Sequence, residues 1–365
     1  MKKGVLLLLV LALACVFCCA AAEEEGVRID EEHFPDGIFR EVVMEYDLDK
    51  DGILTEKEAK SVDILNVWYR NIETLQGIEY LRELFILSCE GNRLTELDLS
   101  LNTKLGALYC GQNQLKTLDI SHCPELEQLF CDYNQLTELD VSQNTNLLYF
   151  SCWGNQLTEL DLSRTEKLKS FSCGLNPLTA LDLSRNAELE HLDYAMTGIK
   201  DLDIRHLTKL RGLCVSECGG KALDLSLYPE LEELSCFECG LTELDVSHNP
   251  KLRSLFCNGN QLTELKLDNQ AGLECLVCND NYLTELNLSN KPGMKYLRCE
   301  NNQLTKLDIS DCPVLVEMAG MPENDSSEGV RGWEIRKDLG DRHPLQSYMY
   351  VDAGVELYTG MGEWK

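Results

Sequence analysis

Basic residues are scarce in this 365-residue chain, which has 33 lysines and arginines against 62 aspartates and glutamates. The formal net charge is therefore −29 at pH 7. A surface this acidic repels the phosphates of nucleic acids and of anionic membranes. We therefore expect no nucleic-acid partner, and we expect cations and basic partners to be favoured.

Catalytic motifs are also missing. The chain contains no GxSxG, HExxH, GxGxxG or phosphate-loop sequence, and such motifs place a nucleophile, a metal ion or a phosphate group in many enzymes. The six histidines are scattered, at positions 33, 122, 191, 206, 248 and 343. We therefore predict that the protein is not an enzyme.

The sequence has no long hydrophobic run except near its beginning. Residues 1–22 contain two lysines, an apolar run over residues 5–17 and three final alanines, an order typical of a secretory signal peptide. The run is shorter than the roughly 20 residues that a membrane-spanning helix needs. We predict cleavage after Ala22 and a secreted or cell-surface protein. Residues 13–15 offer an alternative lipoprotein cleavage site, and with it a lipid anchor.

An internal repeat dominates the rest of the chain. Over residues 84–314 a 21-residue phrase occurs eleven times without insertion or deletion, and its clearest copies have the sequence LxxLxCxxNQLTELDLSxNxx. A fixed period of this length indicates stacked units, each of which buries its apolar side only against its neighbours. The chain is therefore predicted to form a repeat solenoid that is mainly β.

Each position of the repeat forms a column along the predicted stack. On one strand, Leu105, Leu108 and Cys110 alternate inward while Tyr109 points outward. Asn113 then turns the chain, and its buried amide must be satisfied by the backbone of adjacent turns. The second half of each unit, as in residues 115–123, also has a strand-like pattern, so each turn is predicted to carry two short strands with little or no helix.

The phrase LxxLxCxxNxL resembles the leucine-rich repeat family, in which a similar pattern marks a strand and the turn after it. The resemblance implies a parallel sheet over residues 72–318. Its similarity to secreted bacterial leucine-rich repeat proteins, the internalin-like group among them, implies a non-enzymatic extracellular scaffold that recognises a protein partner.

Eighteen cysteines in an exported protein would ordinarily indicate a disulfide framework. Half of them share one inward column, where a buried cysteine packs as a small apolar residue. Side chains of neighbours in that column point the same way, so a bridge between them would be strained, and we predict free thiols. Cys214 and Cys275 lie in outward columns and are predicted to be more reactive. The inward column consists of Cys89, Cys110, Cys131, Cys152, Cys173, Cys236, Cys257, Cys278 and Cys299.

Residues 23–71 precede the repeats and contain the spacing DxDxDGxLxxxE. This spacing resembles the calcium loop of the EF-hand family, and the resemblance implies a site of oxygen ligands. Its members would be the side chains of Asp47, Asp49, Asp51 and Glu58, the carbonyl of Ile53 and a water near Thr55. We predict one structural calcium site in an N-terminal cap with two helical flanks. The alternative is a loop that keeps this sequence without binding metal.

Outward aromatic residues are concentrated in three consecutive turns. Neighbouring turns lie about 4.8 Å apart, so these side chains must form one patch, and exposed aromatic clusters are typical of binding hot spots. The predicted ligand site consists of Tyr109, Phe130, Asp132, Tyr133, Tyr149 and Trp153. Phe237 and Phe256 form a smaller second group.

Three alternatives to a protein-binding patch remain open. The rings can stack on a glycan, with Asp132 supplying a hydrogen-bonding acid. They can also simply pack on one another across the sheet. The third alternative is a structural or calcium-storing envelope component without a discrete ligand.

One outward column is acidic in eight successive turns. Neighbouring carboxylates about 4.8 Å apart repel by roughly 1 kcal/mol even in water. We predict that each carboxylate is stabilised by hydrogen bonds within its own turn; a ladder of divalent-cation sites is the alternative. The column consists of Asp98, Asp119, Asp140, Asp161, Asp182, Asp203, Asp224 and Asp245.

The ends of the array and one interior region depart from the repeat. Residues 319–365 lose the pattern and are predicted to form a C-terminal cap that ends in a short strand. Residues 189–230 are the least regular part of the array, with an interruption around Gly220. We interpret this irregularity as ordinary drift of the repeat, with a bend or a functional interruption as the alternative.

Overall fold

The computed structural model describes residues 26–217, 220, 223–319, 330–335, 347–352 and 354–360. The predicted signal peptide of residues 1–22 and most of the interruption next to Gly220 lie outside these ranges. No helix in the described ranges is long and apolar enough to cross a membrane.

The N-terminal cap is a small unit of two strands and two helices. It consists of β1 (Gly26–Arg28), α1 (Gly37–Met44), β2 (Ile53–Thr55) and α2 (Glu56–Ala59). Helix α1 begins where the side chain of Asp36 accepts the backbone N–H groups of Ile38 and Phe39, which the helix itself leaves unpaired. The same helix buries Phe39 in the core of the cap. Helix α2 begins at a capping box formed by Thr55 and Glu58.

Short strands recur once per turn after the cap. They are β3 (Ile64–Asn66), β4 (Ile86–Ser88), β5 (Ala107–Tyr109), β6 (Gln128–Phe130), β7 (Tyr149–Ser151), β8 (Ser170–Ser172), β9 (His191–Asp193), β10 (Gly212–Cys214), β11 (Glu233–Ser235), β12 (Ser254–Phe256), β13 (Cys275–Val277), β14 (Tyr296–Arg298) and β15 (Lys306–Asp308). The C-terminal elements are α3 (Pro313–Ala319), β16 (Val330–Ile335), β17 (Ser347–Asp352) and β18 (Glu356–Tyr358).

The described residues contain one large sheet, with the strand order β16-β17-β14-β13-β12-β11-β10-β9-β8-β7-β6-β5-β4-β3. Strands β3 to β14 pair in parallel with their sequence neighbours, for example Leu108 beside Leu129. The C-terminal cap adds β17 in parallel and β16 in antiparallel orientation. The predicted parallel-sheet solenoid of leucine-rich repeat type, with a helical N-terminal cap and a short β C-terminal cap, is confirmed.

The inward columns supply the core of the array. Leu108 and Cys110 are fully buried, whereas Tyr109 between them is only partly covered. Burial of one leucine side chain stabilises a fold by about 1.5–3 kcal/mol, and the same inward columns recur in successive turns. The alternation predicted for this strand is confirmed.

Asparagines at the turn after each strand link successive turns. The side chain of Asn134 accepts the backbone N–H of Leu115 at 3.0 Å and donates to the carbonyls of Cys110 and Cys131 at 3.0 and 3.1 Å. These three bonds satisfy backbone groups that the strands leave unpaired. The predicted role of this column is therefore confirmed.

The prediction of two strands in every turn is wrong. In the described turns between β4 and β14, the second half of the repeat has no strand. A buried asparagine serves this half instead: Asn144 donates to the carbonyls of Ile120 and Cys123 at 3.0 and 2.8 Å. Only the last repeat forms a strand here, β15, because β18 supplies a pairing partner.

Candidate functional site

The acidic loop between α1 and α2 is folded by its own carboxylates. Asp47 is buried, and its two oxygens accept the backbone N–H groups of Lys50 at 2.7 Å and Gly52 at 2.8 Å. Gly52 has φ +81°, a conformation that glycine adopts without strain. These bonds bring carboxylate oxygens of Asp47, Asp49 and Glu58 within 4.8 Å of one another.

Glu58 closes the loop from the start of α2. Its Oε1 accepts the backbone N–H of Leu48 at 2.7 Å, and its Oε2 accepts the N–H and hydroxyl of Thr55 at 3.0 and 2.7 Å. Desolvation raises the pKa of Glu58, but these hydrogen bonds outweigh it and hold the pKa below its usual range. Desolvation and the charges of Asp51 and Glu58 raise the pKa of Asp49. A cation among these oxygens would relieve that repulsion.

The other predicted ligands are not part of this group of three carboxylates. Asp51 lies outside the converging group, and its Oδ1 accepts the N–H of Ile53 at 2.8 Å. Strand β1 pairs with β2, and Ile29 N–H donates to the Gly52 carbonyl at 3.0 Å. Because alternate carbonyls of a strand point to opposite sides, this pairing turns the Ile53 carbonyl away from β1. Strand β1 supports this single loop from one side. It was not predicted from the sequence.

The outward aromatic residues form one groove where β5, β6 and β7 end, with a volume of about 410 Å³. The rings of Tyr109 and Phe130 stack with their centroids 5.3 Å apart and an interplanar angle of 8°. The rings of Tyr133 and Trp153 meet at 5.0 Å and 57°. These four side chains and that of Asp132 line the groove. Tyr149, the sixth predicted residue, is exposed but does not line it.

Asp132 is held rigidly within the groove. Its Oδ1 accepts the backbone N–H of Trp153 at 2.8 Å and the hydroxyl of Ser151. Burial, aided by the negative charge of Glu90, raises the pKa of Asp132 above its usual value. The groove therefore contains a partly desolvated carboxylate among aromatic rings.

Glycines in the neighbouring turns make room for the rings. A Cβ atom on Gly174 would lie 2.3 Å from Nε1 of Trp153, so the indole lies against the backbone of the next turn. Tyr133 itself has φ 51°, and Gly154 occupies the same left-handed position one turn later. Packing across the turns thus covers part of these rings, as expected if they pack on one another across the sheet. Tyr133 nevertheless remains 53% exposed.

Three exposed aromatic side chains nearer the N-terminus were not predicted from the sequence. Trp68, Tyr69 and Phe85 are 59%, 54% and 51% exposed. The Tyr69 hydroxyl donates to the Gln112 side chain at 2.9 Å, across two turns. A signal was present in the sequence, because Phe85 is followed 21 residues later by Gly106, where a Cβ atom would lie 2.3 Å from the ring.

The acidic column is explained by local turns. In each of its eight members a carboxylate oxygen accepts the backbone N–H two residues later, at 2.8 to 3.2 Å. These bonds lower the pKa of the carboxylates, as at Asp119 and Asp161. The predicted stabilisation by turn hydrogen bonds is confirmed.

The cysteines of the inward column are buried and free. Cys239, which occupies the asparagine column, is disulfide-bonded. Burial raises the pKa of Cys214 to about 12 and that of Cys275 to about 11, and it raises the pKa of the inward cysteines as well, so the greater reactivity of Cys214 and Cys275 stays a prediction. A thiol is a nucleophile only when ionised.

No family model and no curated protein matches this sequence. Among solved structures, the chain is similar to the functional domain of InlJ from Listeria monocytogenes, which includes a cysteine ladder. The TM-score is 0.62 at 24% identity, covering 91% of this chain and 99% of that one. A leucine-rich repeat protein of Leptospira interrogans gives a TM-score of 0.58 at 23% identity, covering 69% and 76%. An internalin of Listeria monocytogenes, InlF, gives 0.51 at 21%, covering 75% and 98%.

These similarities establish the class of structure. The chain has the leucine-rich repeat fold, and the internalin-like proteins of Listeria are among its structural neighbours. Identities below 25% show the fold, and a shared fold does not by itself fix a function.

Proposed function

We propose that the protein is a secreted or cell-surface scaffold that binds a protein partner through the outward face of its sheet, without catalysis. The observation that carries this proposal is the groove of Tyr109, Phe130, Tyr133 and Trp153 around Asp132. Tyrosine and tryptophan are enriched among the residues that dominate binding energy at protein interfaces. The groove lies on a face whose side chains are not needed for the core.

The test uses aromatic substitutions in two places. The double variant Phe130→Ala, Trp153→Ala alters the groove, and Phe237→Ala, Phe256→Ala removes similar side chains farther along the array. Both variants and the unmodified protein would be incubated with arrays of cell-surface proteins and of glycans. We expect the first variant to lose protein binding, with an unchanged circular dichroism spectrum, and the second to retain it. Equal binding by both variants, or binding to glycans alone, would contradict the proposal.

We also propose that the loop of Asp47, Asp49, Asp51, Ile53, Thr55 and Glu58 holds one structural calcium ion. Support comes from the convergence of three carboxylates and from the raised pKa of Asp49. Bound calcium would neutralise these charges, while the chain's own hydrogen bonds keep the loop in place. We expect a dissociation constant of about 10⁻⁴ to 10⁻³ M, the range of extracellular EF-hand-type modules.

Thermal unfolding with calcium and with chelator tests this site. Calcium should raise the unfolding temperature of the unmodified protein and of Glu41→Gln, which changes an exposed carboxylate on α1. It should have little effect on Glu58→Gln. A full calcium response in Glu58→Gln would place the metal elsewhere.

A further inference from the structure

We propose that the aromatic groove binds the cationic side chain of a lysine or arginine from the partner protein, and that this side chain lies over Gly111 between Glu90 and Asp132. The inference rests on the proposed function, because it assigns a chemistry to the same groove. It is carried by the order of side chains in one column, by the hydrogen bonds of the two acids and by the aromatic walls.

One column of the repeat contains a gap between two acids. In successive turns this column is occupied by Glu90, Gly111, Asp132 and Trp153, and all four line or bound the groove. The turns are held in register by Gly91 N–H donating to the Gly111 carbonyl at 3.0 Å. Because turns are about 4.8 Å apart, the space above Gly111 has a carboxylate one turn away on each side.

In both acids, the hydrogen bonds to other described residues end on a single carboxylate oxygen. The hydrogen bonds described for Asp132 end on Oδ1, from Ser151 and Trp153. Glu90 Oε1 accepts the side-chain N–H of Gln112 at 3.1 Å and lies 3.3 Å from the Tyr69 hydroxyl oxygen. These bonds fix the directions of both carboxylates and leave Oδ2 and Oε2 to accept further N–H donors.

The charge of the groove is one-sided. Its acidic lining residues are Glu90, Asp132 and Asp193, and its described lining contains no lysine, arginine or histidine. The negative charge of Glu90 acts on Asp132. A partly desolvated group of like charges favours a positively charged ligand, and hydrogen bonds between ionised partners are stronger than neutral ones.

The aromatic lining of the groove favours an organic cation over a divalent metal ion. A hard divalent ion needs several oxygen ligands within about 2.6 Å, whereas the two acids are separated by two turns and the walls are carbon rings. Cationic side chains are attracted to the faces of Tyr and Phe, and Tyr109 and Phe130 line the groove beside Gly111. A quaternary ammonium group also favours such rings, but it has no N–H to donate to the two free carboxylate oxygens. Lysine and arginine satisfy both features.

A matched pair of small molecules tests the assignment. N-acetylarginine methylamide carries the guanidinium group, and N-acetylcitrulline methylamide has nearly the same shape without the charge. Each would be titrated into the full chain at fixed ionic strength while the indole N–H signal of Trp153, assigned with Trp153→Phe, is followed by NMR. We expect the arginine compound to bind about tenfold more tightly than the citrulline compound. Equal affinities, or tighter binding of choline than of the arginine compound, would overturn the proposal.

Two double variants locate the effect. Glu90→Gln, Asp132→Asn removes the acids of the groove, and asparagine occurs naturally in this column at Asn258 and Asn279. Asp119→Asn, Asp140→Asn makes the same charge change in the acidic column, where Asn287 naturally accepts the same turn hydrogen bond at 3.0 Å. We expect affinity for the arginine compound to fall about tenfold in the first variant and to change little in the second. An equal loss in both would show general attraction to an acidic protein and would overturn the proposal.

The two proposals fail in different ways. If a protein captured on the array is lost by Phe130→Ala, Trp153→Ala but binds Glu90→Gln, Asp132→Asn normally, the groove is the site and the cationic assignment is wrong. If that protein binds Phe130→Ala, Trp153→Ala normally, the proposed function is wrong, and with it the assignment that rests on it.

Discussion

Two regions of the array have the same strand pairing and the same buried leucines but differ in their outward side chains. The strands that contain Tyr109 and Phe130 and the strands that contain Cys214 and Ser235 follow the same parallel register. Their middle residues, Leu108, Leu129, Leu213 and Leu234, are all buried. Outward, the first region has large aromatic rings and the second has small and polar side chains. The comparison shows that the inward columns determine the fold, while the outward columns are free to determine what binds.

The polar region also has a smaller groove. Its volume is about 210 Å³, and Gly212, His191 and Asp193 are among its lining residues. A Cβ atom on Gly212 would lie 2.6 Å from the His191 ring, so here too a glycine accommodates a ring from the preceding turn. The strand pairing is the same in both regions, whereas their outward residue types differ.

We expect the largest loss of stability when buried leucines are substituted, and the loss should be similar in both regions. Leu129→Ala and Leu234→Ala should each lower the free energy of unfolding by about 2–5 kcal/mol, because each leaves a cavity in the core. Their outward neighbours Phe130→Ala and Ser235→Ala should cost about 1 kcal/mol or less. Urea unfolding of the four variants measures these differences. A loss in Phe130→Ala as large as that in Leu129→Ala would make this ring part of the core and would remove the contrast.

An intermediate effect concerns the asparagine column, which differs between the regions. Asn134 makes bonds to two neighbouring chain segments, whereas the hydroxyl of its counterpart Thr197 donates to the Tyr194 carbonyl at 2.8 Å and accepts the Ile199 N–H at 3.4 Å, both within its own turn. Asn134→Thr should cost about 1–3 kcal/mol, since buried backbone groups lose their partners. Thr197→Asn should stabilise the polar region by about 1 kcal/mol. Equal and negligible changes in urea unfolding would show that this column does not link the turns.

The smallest effect should be common to both regions, because the acidic column crosses both. Hydrogen bonds from Ser142 and Ser226, two residues later in the same turn, lower the pKa of Asp140 and Asp224. A folded-state pKa below the unfolded value means that the stabilisation is present above the unfolded pKa and is lost as the pH falls through the lowered one. Asp140→Asn should therefore weaken the loss of stability between pH 7 and pH 3 with little change at pH 7. An unchanged acid dependence would contradict this account.

The predictable part of the molecule is the part that periodicity controls. Leu108 and Cys110 had to be buried once the register was fixed, and Asp119 had to find donors within its own turn. The left-handed column at Tyr133 was not predicted, because many residue types occupy it and only Gly91, Gly154 and Gly259 signal it. The second asparagine column was misinterpreted as strand, since its leucines have the same spacing as those of the true strand.

Contacts between segments that the 21-residue repeat does not relate were harder to predict. The pairing of Val27 with Leu54 joins segments on either side of α1, and nothing periodic relates their sequences. The Tyr69 hydroxyl contacts the Gln112 side chain two turns away. Stacking of successive turns alone brings Tyr109 and Phe130 together, whereas Tyr149 lies at the other end of its strand.

The central claim is that the outward face of the aromatic turns is the recognition site. Hydroxyl-radical footprinting of the full chain, with and without a protein captured on the array, tests it most directly. The account predicts that the partner protects Tyr109, Phe130, Tyr133 and Trp153 from oxidation and leaves Phe237 and Phe256 unchanged. Protection of Phe237 and Phe256 with full oxidation of the groove would contradict it.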